Sequence, residues 1–265
     1  MSFALSPAAR LRFEEDGWIG PYPLLSERDA RGLAPELQRA FDQTLGYHYP
    51  DRAELERFLA AGGSYYRDRA WFQSLHALSA RLLDVGRQPA IVERVAQLLG
   101  DDVMLWGTIC FVQEPGGRLH WHSDNEFHHV RGVSAWIAVS NVTLRNSLKL
   151  LPGSHRLPRR PEDDLSVGAE TMSSLQDDER ALSIARRWLP SAGVVRPELR
   201  DGEFILFSGN VWHASDNPGP ALRHAMGLRY SPPDQQVRIP LTAWEPTYWD
   251  PARPPTVLVR AAKGS

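Results

Sequence analysis

The spacing of apolar residues changes near Gly100, and this change limits the possible folds more than any other feature of the chain. Up to this glycine, apolar residues recur every three to four positions, the spacing of one face of an α-helix. One such stripe consists of Leu33, Leu37, Phe41 and Leu45. Beyond it, the apolar segments are short and bounded by Gly, Pro, Asn or Asp, as β-strands are. We therefore predict a helical layer, residues 1–100, followed by a strand-rich region, residues 101–265.

Four helices are predicted in the helical layer. The first begins at Ser26, because a serine side chain can accept a hydrogen bond from the first turn of a helix, and it carries the stripe through Leu45. The others cover Asp51 to Ala61, Trp71 to about Val85, and Pro89 to Leu99. Glycine favours the C-terminal end of a helix, so the last of them is expected to end at Gly100.

Five strands are predicted in the strand-rich region, over residues 103–113, 132–142, 148–151, 203–207 and 226–230. Many short strands separated by turn residues indicate a sandwich or barrel, whereas a parallel sheet needs helices between its strands. We predict a mainly β protein with N-terminal helices, in which the helical layer packs on a jelly-roll barrel within one domain, residues 1–265. Residues 156–200 form a polar insert with one amphipathic helix, around Asp177 to Trp188, and this insert is expected to act as a lid.

Composition and charge exclude several classes of function. The net charge of -2 gives no positively charged surface for nucleic acid or for an anionic membrane. No run of about 18 apolar residues occurs, so no membrane span is expected. The single cysteine, Cys110, excludes an internal disulfide and fits a reducing compartment. With no signal-peptide pattern at the N-terminus, the expected location is the cytoplasm.

His122 and Asp124 are the first candidate metal ligands. Residues two apart on a β-strand point to the same face, so this imidazole and this carboxylate can converge on one point. With a second histidine they would form the facial triad of non-haem Fe(II) oxygenases, which leaves coordination positions open for substrates. A His-x-Asp sequence also occurs by chance in surface turns of a chain with nine histidines. The motif alone leaves both interpretations open.

His213 and Arg223 follow further along the chain. His213 comes after the strand 203–207 and a Ser-Gly-Asn turn, so it is either a third ligand or a buried histidine hydrogen-bonded to the backbone. Arg223 begins a strand that runs to Tyr230, and an arginine can hold a carboxylate through two charge-assisted hydrogen bonds. Arg229 lies six residues later on the same face of that strand and is the competing candidate.

Together these motifs resemble the phytanoyl-CoA dioxygenase family of Fe(II)- and 2-oxoglutarate-dependent oxygenases, which includes ectoine hydroxylase. The matching segments are Phe13 to Gly17, Trp121 to Asp124, Leu151 to His155, Gly202-Glu203, Trp212 to Ser215, Asn217, and Arg223 to Tyr230. The resemblance extends from about Phe13 to Pro232, and the order and spacing of the motifs make it specific. It implies a double-stranded β-helix, which is a cupin-like jelly roll.

The resemblance also implies a function and a set of site residues. The catalytic iron ligands would be His122, Asp124 and His213. The 2-oxoglutarate site would comprise Arg223, Ser215 and Trp136. The expected cofactors are Fe(II) and the cosubstrate 2-oxoglutarate, and the expected reaction is the O2-dependent hydroxylation of a small molecule. The spacing from His213 to Arg223 is one residue shorter than the family pattern.

The substrate and two alternative functions are less constrained. The residues expected to form the wall of the substrate site are Trp106, His120, Glu126, Phe127, His128, Trp212 and Trp244. This mixture of aromatic and polar groups favours a small polar or amphipathic metabolite. The alternatives are a non-catalytic jelly-roll protein that binds a small ligand, and a zinc hydrolase with three protein ligands and an activated water. The zinc hydrolase lacks a clear general base, and the sequence indicates no oligomeric state.

Overall fold

The computed structural model describes residues 3–48, 51–62, 74–125, 131–161, 163, 177–235, 237 and 256–261. The helices are α1 (Pro7–Asp16), α2 (Glu27–Arg31), α3 (Ala34–His48), α4 (Arg52–Ala60), α5 (Ala80–Gly86), α6 (Pro89–Leu99) and α7 (Asp178–Ala185). The strands are β1 (Trp18–Pro23), β2 (Val103–Gln113), β3 (Arg118–His122), β4 (Val133–Ser140), β5 (Lys149–Leu150), β6 (Glu203–Ser208), β7 (His213–Asp216), β8 (Arg223–Ser231) and β9 (Val257–Arg260).

The helices begin where capping residues predict. The Ser26 hydroxyl accepts a hydrogen bond from the Asp29 amide at 3.1 Å, and the Asp51 carboxylate caps α4 in the same way. The helical conformation is interrupted at Gly32, so the segment predicted as one helix forms two helices, α2 and α3. Of the segment predicted from Trp71, residues 71–73 lie outside the described part, and a 3-10 turn precedes α5. None of the helices in the described ranges is long and apolar enough to cross a membrane.

The strands form two antiparallel sheets. One has six strands in the order β1-β6-β4-β8-β2-β9, and the other has three in the order β3-β7-β5. The predicted bounds of β2 are confirmed, and β4, β5, β6 and β8 each overlap a predicted strand. β1, β3, β7 and β9 are not among the five predicted strands, although the His-x-Asp argument assumes a strand at His122. The prediction of a mainly β protein with N-terminal helices is confirmed.

The helical layer covers the outer face of the six-stranded sheet. Alternate residues of β4 show the two faces, because successive side chains on a strand point to opposite sides. Those on the outer face join the largest hydrophobic cluster, together with residues of α3, α5 and α6: Val133, Ala135, Ile137 and Val139. The inner face carries Ser134, Trp136 and Ala138.

The inner face of the six-stranded sheet faces the three-stranded sheet across a small cavity. Gln113 of β2 donates a hydrogen bond to the Ser215 hydroxyl of β7 at 2.9 Å, which joins the two sheets. Residues of both sheets line the cavity, among them Trp136 and Gly227 on one side and His213 on the other. The predicted ligand positions therefore lie between the sheets.

Candidate metal centre

The three predicted metal ligands come together at one end of this cavity. His122 is the last residue of β3 and His213 the first of β7, and the two are paired in the antiparallel register. Asp124 lies in the loop after β3, not on the strand as the His-x-Asp argument assumes. Its Oδ1 atom is 3.5 Å from His213 Nε2 and 3.9 Å from His122 Nε2. One ligand atom from each residue lies within 4.8 Å of the others.

Backbone carbonyls orient both imidazole rings. His122 Nδ1 donates to the His120 carbonyl at 2.8 Å, and His213 Nδ1 donates to the Val211 carbonyl at 2.9 Å. These hydrogen bonds place the proton on Nδ1 and leave each Nε2 with a free lone pair. Burial and the neighbouring His213 hold the pKa of His122 well below its usual value, so this ring is neutral at physiological pH. Neutral imidazole is the form that binds metal ions.

The Asp124 carboxylate is held at both oxygens. Ser134 donates to Oδ2 at 2.5 Å, and Arg229 Nη2 lies 2.5 Å from Oδ1. Burial by itself would raise the pKa of Asp124, but the Arg229 guanidinium, His213 and His122 together hold that pKa well below the usual value. The carboxylate is therefore ionised, with Oδ1 directed toward the two histidines.

This arrangement fits a divalent transition metal. Two neutral nitrogens and one carboxylate oxygen converge from one side, which is the donor set of a 2-His-1-carboxylate facial triad. Hydrogen bonds to the second nitrogen of each ring and to the second carboxylate oxygen fix the ligands before the metal arrives. The chemistry of the donor set thus matches Fe(II).

Arg223 lies next to Trp136 of the cavity lining and is fully buried. Its Nη1 donates to the Asn146 carbonyl at 2.7 Å, while Nε and Nη2 have no hydrogen-bond partner among the described residues. No described carboxylate forms an ion pair with it. Burial lowers the pKa of Arg223 to about 9, and the nearby Asp216 carboxylate offsets this only in part. A buried cation with two unpaired donor nitrogens is suited to binding an anion.

Ser215 and Trp136, the other two predicted cosubstrate residues, line the cavity between Arg223 and the triad. The Trp136 ring centroid is 5.4 Å from the Arg223 guanidinium carbon. The Ser215 hydroxyl is fixed by Gln113, whose own Oε1 is buried without a partner in the described part of the chain. Sequence reasoning missed Gln113, although its place at the end of a cavity-facing strand, opposite Arg223, was a usable signal.

Arg229 occupies the metal end of the cavity and not the Arg223 end. The predicted shared face is confirmed, because both arginines point inward from β8. Their positions differ: Arg229 pairs with Gly107 and Ser134 in the sheet register, next to Asp124, whereas Arg223 pairs with Gln113. Only Arg223 is free of a carboxylate partner.

Several predicted wall residues lie elsewhere. Trp212 is wrong as a wall residue, because it packs with Trp121 and Leu151 in a separate cluster and its indole nitrogen donates to the Arg159 carbonyl. His120 stacks near His122, with ring centroids 5.3 Å apart. Those outside the described residues are Glu126, Phe127, His128 and Trp244.

The second half of the polar insert contains a helix that packs against the three-stranded sheet. The predicted amphipathic helix is confirmed as α7, which buries Leu182 and Ile184 against Trp121. At its start, Asp178 accepts hydrogen bonds from Lys149 Nζ at 2.8 Å and from the Trp121 indole at 3.0 Å. The expected lid role of residues 156–200 stays a prediction. Residues 164–176 of the insert lie outside the described part.

Antiparallel sheets that enclose a 2-His-1-carboxylate site define the class of non-haem iron oxygenases. Residues 13–225 match the model of the family described as "Phytanoyl-CoA dioxygenase (PhyH)". The chain belongs to this family, and the predicted membership is confirmed. It is an Fe(II)- and 2-oxoglutarate-dependent dioxygenase that hydroxylates a small molecule. The non-catalytic binding protein and the zinc hydrolase are not supported.

Named relatives agree with this activity, and a solved structure shows a similar fold. The chain is 32% identical to an ectoine dioxygenase of Nocardia farcinica over 223 residues, which is 77% of this chain and 70% of that one. It is 28% identical to an L-proline trans-4-hydroxylase of Streptomyces griseoviridis over 237 residues, 83% of this chain and 84% of that one. The fold is similar to that of the alpha-ketoglutarate-dependent carbocyclase SnoK of nogalamycin biosynthesis, with a TM-score of 0.58 and 20% identity over 86% of this chain and 84% of that one.

Proposed function

We propose that His122, Asp124 and His213 bind the iron, and that Arg223 binds the far carboxylate of 2-oxoglutarate. The observation that carries the proposal is the convergence of two free Nε2 lone pairs and one ionised carboxylate oxygen in a buried site. Iron and 2-oxoglutarate together supply O2 activation for the oxidation of a C–H bond. The chain contributes the positions of these groups and the exclusion of water.

The 2-oxoglutarate site follows from the unpaired donors and acceptors at the closed end of the cavity. Arg223 Nε and Nη2 can form the two parallel hydrogen bonds that a carboxylate accepts. Ser215 is within hydrogen-bond distance of Gln113, so its hydroxyl proton is available to the same carboxylate. Trp136 forms an apolar wall beside the arginine, which keeps water from competing for it.

The residues at the metal end control ionisation and orientation. Ser134 and Arg229 keep Asp124 ionised and fix its rotation, so it presents Oδ1 to the metal. The backbone carbonyls of His120 and Val211 keep both rings in the tautomer that leaves Nε2 open. Phe207, whose ring centroid is 4.8 Å from that of His213, shields this ligand on its apolar side.

We propose that the two sheets close into a double-stranded β-helix, the jelly-roll barrel, and that residues 1–265 form one domain. Support comes from the cavity, to which both sheets contribute, and from the hydrophobic cluster that joins the helical layer to the six-stranded sheet. A cytoplasmic location rests on the single buried cysteine, which needs no oxidising compartment.

The substrate is proposed to be a small polar or amphipathic metabolite. Among the relatives, the names ectoine dioxygenase and L-proline trans-4-hydroxylase indicate compact polar ring compounds. Aromatic side chains such as Phe111 and Trp136 leave little free space in the part of the cavity between the sheets. Compounds of this size are therefore the first to test.

The test is an anaerobic titration with Fe(II) and then 2-oxoglutarate, followed in the visible range. The ternary complex gives a weak metal-to-ligand charge-transfer band that zinc or an empty binding protein does not give. We expect the band in the wild type, its loss in a double variant His122→Ala/His213→Ala, and its normal appearance in the control His224→Ala, which replaces a half-buried histidine that contacts Ser140. Succinate formation with ectoine, L-proline and related compounds then identifies the substrate. A wild-type protein that forms no band would refute the proposed function.

A further inference from the structure

Two buried arginines stand at opposite ends of one cavity. Arg223 and Arg229 are six residues apart on β8, a distance of roughly 20 Å along a strand. The Arg223 end is closed by hydrogen bonds of Asn146 and Asn217 with neighbouring backbone carbonyls. If Arg223 binds 2-oxoglutarate, that molecule lies between Arg223 and the triad. Arg229 is then left for a second anion at the metal end.

The surroundings of Arg229 contain unpaired hydrogen-bond donors. Its Nη2 contacts Asp124, but its Nε is buried and has no partner among the described residues. The indole nitrogen of Trp106 is buried and unpaired in the same part of the chain, and its ring centroid is 5.4 Å from the Arg229 guanidinium carbon. Both residues are more than nine-tenths buried, at 9% and 4% exposure. A buried donor without an acceptor lowers the stability of the folded protein. A ligand that supplies an acceptor here would therefore be favoured.

We infer that Arg229, flanked by Trp106, binds a carboxylate of the primary substrate, which is therefore a small carboxylic or amino acid. The inference rests on the proposed function, because a metal bound to Asp124 would neutralise that carboxylate and would leave the Arg229 guanidinium available to another anion. The stem of Arg229 is already fixed: it packs over Gly107, where an added Cβ would lie 3.1 Å from Arg229 Cδ. Only the guanidinium has to reorient.

The test uses the full chain loaded anaerobically with Fe(II) and 2-oxoglutarate, with the charge-transfer band as the check on loading. The probes are L-proline and other small L-amino acids, each compared with its primary amide by calorimetric titration. We expect at least one acid to bind, and its amide to bind at least tenfold more weakly. Arg229→Gln is expected to lower the affinity for Fe(II), because Arg229 helps to hold Asp124. With Fe(II) and 2-oxoglutarate raised until the band is complete, it should still weaken binding of that acid tenfold or more. Arg229→Lys should recover part of the loss.

Arg223→Gln is the matched control at the other end of the cavity. It should raise the 2-oxoglutarate requirement and leave binding of the acid unchanged once 2-oxoglutarate is saturating. The inference is wrong if amides bind as tightly as acids, or if no acid binds. It is also wrong if Arg229→Gln raises the 2-oxoglutarate requirement as much as Arg223→Gln does, since Arg229 would then serve the cosubstrate. If the wild type gives no band, the proposed function itself fails, and the inference falls with it.

Discussion

Replacement of Arg223 is the most direct perturbation of the proposed cosubstrate site. The side chain is fully buried, two of its donor nitrogens are unpaired, and no described carboxylate neutralises it. A carboxylate that accepts both hydrogen bonds would gain a charge-assisted bidentate pair shielded from water. Losing such a pair costs on the order of 2–4 kcal/mol. Because about 1.4 kcal/mol corresponds to tenfold in affinity, Arg223→Ala should weaken 2-oxoglutarate binding about 30-fold to several hundred-fold.

The stability of the ligand-free protein should change in the opposite sense. A buried cation without a counter-ion destabilises the fold, so a similarly shaped apolar side chain is often neutral or stabilising there. We expect Arg223→Met to unfold at the same or a higher urea concentration than the wild type without 2-oxoglutarate. The same variant should lose the stabilisation that 2-oxoglutarate gives to the wild type. Arg223→Lys should also bind poorly, because an ammonium cannot form the two parallel hydrogen bonds.

The assay is the anaerobic charge-transfer titration at saturating Fe(II), with the urea midpoint measured on the same samples. The KM for the primary substrate, measured at saturating 2-oxoglutarate, separates a cosubstrate effect from general damage. A change of less than about threefold in 2-oxoglutarate affinity in Arg223→Ala would refute the assignment, because it is smaller than the loss of one charged hydrogen bond. A marked loss of stability in ligand-free Arg223→Met would instead show that the arginine is needed for the fold.

Other consequences of the structure can be checked in the same preparation. Asp124→Ala should lose the coupling of 2-oxoglutarate decarboxylation to hydroxylation, and wild-type coupling in this variant would contradict the ligand assignment. Ser134→Ala removes the hydrogen bond to Asp124 Oδ2, so Fe(II) affinity should fall about tenfold or more. Lys149→Met leaves Asp178 and Asp216 facing each other without their shared cation, and urea unfolding should show a loss of about 2 kcal/mol. Burial raises the pKa of the Cys110 thiol, so iodoacetamide should label it only after unfolding.

Long, strongly patterned elements were predictable from the sequence, and short polar ones were not. β2 was predicted with its observed bounds because it is buried along most of its length and its sequence is almost continuously apolar. β1 contains Pro21 and Pro23, which argue against a strand, yet it lies at the edge of the sheet, where a missing N–H donor is tolerated. β7 has four residues, and its strand structure depends on its partners β3 and β5. Pairing of this kind leaves no local pattern.

The sequence by itself determined the kind of chemistry: a His-x-Asp pair, a distant histidine and two arginines in family order, on strands whose alternation points them inward. It did not decide the role of each arginine. Residues six apart on a strand point to the same face, so the alternation of side chains does not distinguish them. The sheet register decided this, by setting Arg229 beside Ser134 and Arg223 opposite Gln113. The loop after β3 then brings Asp124 to Arg229 and leaves Arg223 unpaired. Register and loop closure depend on contacts between residues about a hundred positions apart, and such contacts exist only in the folded chain.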